Sequence, residues 1–321
     1  MNNYVISCCS PVDYAKEDLA ALDVEVVYFH IILDGKDYLD DFGKSLSAET
    51  LLAAQRAGRD VKTSQISVGE YKDFFRPFLE EGRDILHITV SSGLSGTINS
   101  ANLAAHHLME EFPERKVIIV DSRGGSCGYG MIVEEAAKMR AAGKNIEEVR
   151  DWVEEHRLEV EHFFFSHDLT HFIKGGRIPR YVGILAQKMK ICPIMVGDSM
   201  GRIVMSDKIR TKKKAVQRAV EHIGELATGG FHYTGKLMIA HTDPELAHET
   251  AALIREKCPH LSDLQIRPLG VTFSSHSGPG CVALFYWGKP RTDKKANKKH
   301  LANARCFSFC LYVVFILIVL S

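Results

Sequence analysis

The sequence predicts an α/β protein built on a parallel sheet, and three observations lead there. Apolar runs of strand length alternate with runs of helix length, the turns between them are rich in glycine and hydroxyl side chains, and the order strand, polar turn, helix recurs. Residues 24–33 form a β-rich run that ends in Asp34-Gly35, and Ser47 then caps an alanine- and leucine-rich helix that ends near Gly58. Residues 84–90 read as a buried strand, 91–96 as its turn and 97–112 as the following helix. The next strand, 116–120, runs into Asp121-Ser122-Arg-Gly-Gly-Ser-Cys-Gly, with a helix expected over 129–142. A sheet of this kind takes its ligand at the carboxyl ends of its strands. A helix over 146–157 leads to an aromatic strand, 162–166, after which the pattern loosens through 174–178, 190–196 and 202–206. Residues 236–241 form a strand, and Asp243-Pro244-Glu245 opens a helix with proline in its first turn. At the end, 269–273 read as a strand, 274–280 as a polar glycine turn and 282–287 as the closing strand.

A length of 321 residues suits two domains of about 150 residues each. The pattern places the boundary near residue 157 and divides the chain into 1–157, 158–290 and a tail, 291–321. An apolar fraction of 45% with 25% charged residues excludes disorder, collagen and a polytopic membrane protein. Lysine plus arginine and aspartate plus glutamate each total 40, so no net field draws the chain to nucleic acid. From Arg291 onward six basic residues stand against one acid, Asp293, which leaves the body mildly acidic. The eight cysteines form no CxxC pair and match no zinc spacing; they read as reduced, buried thiols, with no metal. The first residues lack a signal peptide's basic and apolar regions, so a cytoplasmic protein is expected. Residues 306–320 are almost wholly apolar but short of a membrane span. They read as a segment appended outside the fold, with a tail anchor as the alternative; membrane contact is expected through them alone.

Several motifs can carry chemistry. Gly230-Phe-His-Tyr-Thr-Gly235-Lys236 approaches a phosphate-binding loop, but Leu237 stands at the hydroxyl position and a strand follows, so ATP is not expected there. Ser91-Ser-Gly-Leu-Ser-Gly-Thr97 sits between strand and helix, where hydroxyls and free N–H groups favour a small carboxylate or phosphate; the plainer reading is a capped turn. Lys62-Thr-Ser-Gln65 adds a second hydroxyl cluster before a helix that starts about Gly69. A serine hydrolase is the rival, with Ser95 as nucleophile and His276, Asp168 and His171 as partners, although Thr97 breaks the G-x-S-x-G pattern. Lys174-Gly-Gly-Arg177 offers a guanidinium beside flexible backbone, and the Ser275–Gly280 segment a ligand-facing turn. Lys208 to Lys214 with Arg218 reads as the solvated basic start of a helix.

Taken together, Thr63-Ser64-Gln65, the 91–97 segment, Asp121-Ser122, Lys174-Gly-Gly-Arg-Ile178 and His276-Ser-Gly-Pro-Gly280 resemble, in order and spacing, the DegV family of fatty-acid-binding proteins, over about residues 3–290. The resemblance implies a three-layer α/β/α N-terminal domain, 1–157, with a parallel sheet, a C-terminal α/β domain, 158–290, with a mixed sheet, and a long-chain fatty acid between them. It implies a carrier with no catalytic residues and no cofactor besides that ligand, which offers the carboxylate to a separate ATP-dependent kinase subunit for acyl-phosphate formation and phospholipid synthesis. Carried onto this chain, Thr63 and Ser95 bind the carboxylate with Ser92 and the Gly93 backbone nearby, while Arg177 and His276 lie near the headgroup that the kinase engages. Residues 163–165, 184–185 and 191–195 are candidate walls of the acyl tunnel. Cys8-Cys9-Ser10-Pro11 departs from the family's Asp-Ser-Ser/Thr run, Ser277 replaces a frequent threonine, and the tail has no counterpart.

Overall fold

The structure, a computed structural model, describes residues 3–178 and 191–292. The described residues up to Arg291 pack as one compact unit. Its first sheet is wholly parallel, with β1 (Tyr4–Cys9), β2 (Val24–Val27), β6 (Asp84–Thr89) and β7 (Val117–Asp121) in the order β2-β1-β6-β7. β1 is buried along its whole length, as a central parallel strand must be. Helices α3 (Val68–Glu80) and α4 (Thr97–Glu111) pack together against β6 and β7. Helix α5 (Ser126–Ala141) pairs with α6 (Ile146–His156). α5 is buried on nearly every side because it also meets the second large sheet; a helix enclosed all round carries no polar stripe.

That second sheet is mixed and six-stranded: β10 (Ile203–Ile209), β9 (Cys192–Gly197), β8 (Val160–Ser166), β13 (Cys281–Trp287), β11 (Lys236–His241) and β12 (Asp263–Pro268), in that spatial order. Only β11 and β12 run parallel; the other neighbours are antiparallel. Helices α8 (Lys212–Leu226) and α9 (Pro244–Lys257) bury their apolar faces in the core behind it. A parallel-sheet domain followed by a mixed-sheet domain is the architecture expected from the sequence. A small antiparallel sheet of β3 (His30–Leu33), β4 (Lys36–Leu39) and β5 (Val61–Ser64), with α2 (Ala48–Arg56), completes the frame.

Four expectations are corrected. The 24–33 run is not one strand: its first half pairs with β1, and its second half turns into the small sheet. The cause is Asp34-Gly35, which takes positive φ (49° and 81°) and closes a two-residue hairpin that only an antiparallel partner can use. Residues 269–273 are not a strand followed by a turn, because α10 (Val271–Ser277) runs through them. Acceptors from far upstream hold its first turn: Asp13 accepts the Gly270 N–H at 3.2 Å and Asp40 the Thr272 hydroxyl at 2.6 Å. Lys208 lies on β10 rather than on a helix, and Arg218 on α8 is bound to Glu225 through two hydrogen bonds of 3.0 and 3.1 Å. The α5 helix begins at Ser126, three residues before the expected start. The 184–185 wall and the apolar 306–320 stretch lie outside the described residues.

Candidate functional site

Strand alternation, one helix N-terminus and α10 bring the functional side chains together. Thr63 near the end of β5 and His276 in the last turn of α10 meet at 2.8 Å, Thr63 Oγ1 to His276 Nε2. His276 Nδ1 is buried without a hydrogen-bond partner. Burial, and after it the positive charge of Arg177, push the His276 pKa down to about 3, so the ring is neutral at physiological pH. With its proton on Nε2 it donates to Thr63 Oγ1 and leaves the threonine hydroxyl hydrogen free for a ligand. Ser95 Oγ accepts the Thr97 N–H at 3.2 Å, which likewise leaves its own hydrogen to donate. It precedes α4, a fifteen-residue helix with no acid in its first turn, an end where negative charge is favoured. Arg177 donates to the Gly175 carbonyl, and burial lowers its pKa.

Thr63, Ser95, Arg177 and His276 all line one cavity, of about 930 Å³ of atom-free space with its mouth included. The rest of its wall is largely apolar, with Phe164, Phe172, Phe273 and Phe285 prominent. Phe164 and Phe172 stack at 5.6 Å. Of the aromatic run in β8 only Phe164 faces the cavity, since Phe163 and Phe165 alternate into the core behind the sheet. Ile191 and Met195 are core residues.

Ser92 and Gly93 are not among the lining residues. The Ser92 N–H donates to Asp121 Oδ1 at 3.1 Å and the Gly93 N–H to Ser91 Oγ at 3.0 Å. A Cβ at Gly93 would come within 2.7 Å of the Met200–Gly201 backbone, so this glycine lets two loops touch. Asp121 also accepts the Arg123 N–H at 2.9 Å and pairs with its guanidinium at 3.1 Å, bracing the turn.

The hydrolase constellation does not assemble among the described residues. His276 is bound to Thr63, Asp168 accepts the Thr170 N–H at 2.8 Å, and His171 Nδ1 faces Gln55 Nε2 at 3.2 Å. Lys236 of the phosphate-loop-like motif is engaged by Glu134 at 2.6 Å. No group of three or more histidine, cysteine or acidic side chains that could hold a metal occurs among the described residues, and their six cysteines are buried and unpaired. Burial raises the thiol of Cys9 to about 11, and the two cysteines of the atypical turn, Cys8 and Cys9, are wholly enclosed.

Sequence reasoning overlooked His162, Asp13 and Asp40, and it gave Arg291 to the tail. Arg291 is 6% exposed, and it donates to the carbonyls of Asp198, Arg123 and Arg157 at 3.2, 2.8 and 3.2 Å. Desolvation lowers its pKa to about 10, so it stays charged. Both Arg291 and His162 line the cavity.

Comparison with known proteins identifies the family. The family model described as uncharacterised protein, DegV family, matches residues 8–289. A DegV domain-containing protein of Clostridium perfringens is 30% identical over 289 residues, covering 90% of this chain and 98% of the relative. A fatty acid binding DegV family protein from Streptococcus agalactiae superposes with a TM-score of 0.78 at 26% identity, over 90% of this chain and 100% of that one. A DegV family protein from Thermus thermophilus, solved for its fatty acid binding, gives 0.77 at 25% identity, over 89% and 100%. Two sheets in the expected order, a polar cluster in one cavity drawn from four of the five expected motifs and matches along nearly the whole body converge: the chain belongs to the DegV family.

Proposed function

We propose that this chain is a fatty-acid carrier: it holds a long-chain fatty acid in the cavity, with the carboxylate at Thr63, Ser95 and His276, and offers it to a separate ATP-dependent kinase subunit. The observation that carries the reading is a polar cluster of neutral donors at one end of an otherwise largely apolar cavity, the pattern of a site that orients one polar group and buries a chain. The fatty acid binding reported for the Streptococcus agalactiae and Thermus thermophilus relatives supports it.

The chemistry fits a carrier. To become an acyl phosphate, a carboxylate oxygen attacks the γ-phosphorus of ATP and ADP leaves, so that oxygen must stay reachable. Neutral hydroxyls and a helix N-terminus hold a carboxylate without enclosing it, whereas a two-pronged salt bridge would occupy both oxygens. Arg177 supplies charge beside the cluster and serves the partner encounter. The protein works in the cytoplasm, where ATP and the kinase are found, and needs no cofactor. No helix among the described residues is long and apolar enough to cross a membrane.

The test is native mass spectrometry of the full chain, with organic extraction of what it carries and titration with oleate. Thr63→Ala combined with Ser95→Ala removes two hydrogen bonds to a charged group and is expected to weaken oleate binding by about a hundredfold. Unchanged affinity would overturn the placement. Arg177→Ala is expected to spare binding and slow kinase-dependent phosphorylation of the bound acid.

A further inference from the structure

The register of β8 and β13 bears on which chain lengths fit, an inference that rests on the fatty-acid reading. The two strands are antiparallel, with Phe164 opposite Ala283 and His162 opposite Phe285. Alternate residues share one face of a strand, and His162, Phe164, Cys281, Ala283 and Phe285 all line the cavity. The Cys281 end of this strip adjoins the headgroup cluster: α10, which carries His276, ends at Ser277, and α7 (Thr170–Lys174), which leads to Arg177, follows the paired end of β8. At the other end stands the His162 imidazole, 8% exposed. It donates from Nδ1 to the Val160 carbonyl at 2.9 Å and accepts the Gly125 N–H on Nε2 at 3.0 Å, so its ring is pinned. Arg291 stands beside it, near enough that a Cβ on Gly197 would lie 2.6 Å from its Nη1 and 3.3 Å from His162 Cβ.

We propose that the inward face of β13 is a ruler: the alkyl chain lies along Cys281, Ala283 and Phe285, His162 with Arg291 is the end stop that sets the longest chain admitted, and the methyl side chain of Ala283 leaves the chain room to reach it. Ala283 is the smallest side chain on the inward face of β13 and stands beside Phe164 across the strand pair, which in turn stacks on Phe172. Each two-residue step of the ruler is about 6.8 Å. An extended alkyl chain built on 1.5 Å bonds advances about 1.25 Å per carbon, so one step corresponds to about five carbons.

The experiment extracts and weighs the acids carried by full-length wild type and Ala283→Leu, then competes a saturated series from decanoic to eicosanoic acid against each. The expected result is a preferred length shorter by about five carbons in the variant, with affinity for the short acids within a few-fold of wild type. A folded Ala283→Leu protein with the wild-type length profile, or one that loses the short acids as well, would overturn the ruler. Should leucine prevent folding, as judged by thermal melting, Ala283→Val is read by the same criteria with a smaller expected shift. A wild-type chain that takes up no member of the series would sink the fatty-acid reading itself, an outcome separate from an unshifted variant.

Discussion

Asp13 and Asp40 carry the least comfortable charges near the site. Both are buried, and desolvation first of all raises their pKa values to about 7 and about 6, with Asp40 adding to the rise at Asp13. Asp13 accepts from Ser126 Oγ at 2.5 Å and from the Gly270 N–H, so it ties the start of α5 to the start of α10. A carboxyl that binds its proton more tightly folded than unfolded destabilises the fold as pH rises; here the loss runs from about pH 4 to about pH 7, and the contribution is most favourable below that window. Asp13→Asn keeps an acceptor oxygen and removes the titration. It is expected to cut the stability lost between pH 5 and pH 8 by about 2–3 kcal/mol, read from urea unfolding at the two pH values. An unaltered pH slope would remove Asp13 from this role. Thr63, Ser95, Arg177 and His276 were legible because each sits in a short polar motif. Asp13, Asp40, His162 and Arg291 were not, since an isolated polar residue in a sequence does not announce that distant elements will bury it.

Among the elements, the 91–97 loop shows how a glycine can hold two loops together. Gly201 has φ +68°, and a Cβ there would overlap Ser91 Oγ and stand 2.9 Å from the Arg123 carbonyl. Ser91 in turn donates to the Gly201 carbonyl at 2.9 Å. Gly143 has φ +90° with nothing near its missing Cβ, so it reports the backbone cost alone. Gly201→Ala is expected to cost about 2 kcal/mol or more, against about 1 kcal/mol for Gly143→Ala, and to weaken fatty-acid binding because Ser95 moves with the loop. Equal melting temperatures for the two variants would contradict the crowding argument. β6 and β7 of the first sheet could be read from sequence because each belongs to a local strand–turn–helix unit, whereas β1 at its centre was not read. α10 could not be: the acceptors that hold its first turn come from residues 13 and 40, more than two hundred positions upstream, and local pattern alone favoured a strand.

Across the whole body, the parallel-sheet and mixed-sheet parts are joined by an ion cluster around one buried glutamate. Glu134 of α5, 9% exposed, receives the Tyr14 hydroxyl at 2.6 Å, Lys236 of β11 at 2.6 Å and Lys138 at 2.9 Å. These contacts, with desolvation opposing them, hold its pKa below the usual glutamate value. Arg267 of β12 reaches Asp18 at 2.6 Å beside it. Lys236→Met leaves an enclosed carboxylate short of its best partner and is expected to cost about 1–3 kcal/mol. Lys138 is half exposed, and Lys138→Met is expected to cost under about 1 kcal/mol. Urea midpoints of the two variants decide this, and a larger loss for Lys138→Met would reverse the assignment. A nearly complete phosphate-loop motif thus resolves into a structural lysine, which sequence spacing could not reveal because its partner lies a hundred residues away.

The place of β13 has a consequence for how the molecule is made. It lies between β8 and β11 in the mixed sheet, yet among the described strands it is the last to leave the ribosome. Until then β8 and β11 each present an unpaired edge toward a vacant middle, and such edges invite wrong partners. The strand that lines the cavity therefore also zips the second sheet shut, and Arg291, arriving four residues later, draws in three loop carbonyls behind it. The nascent chain thus acquires the wall of its binding chamber and its finished second sheet from the same late segment.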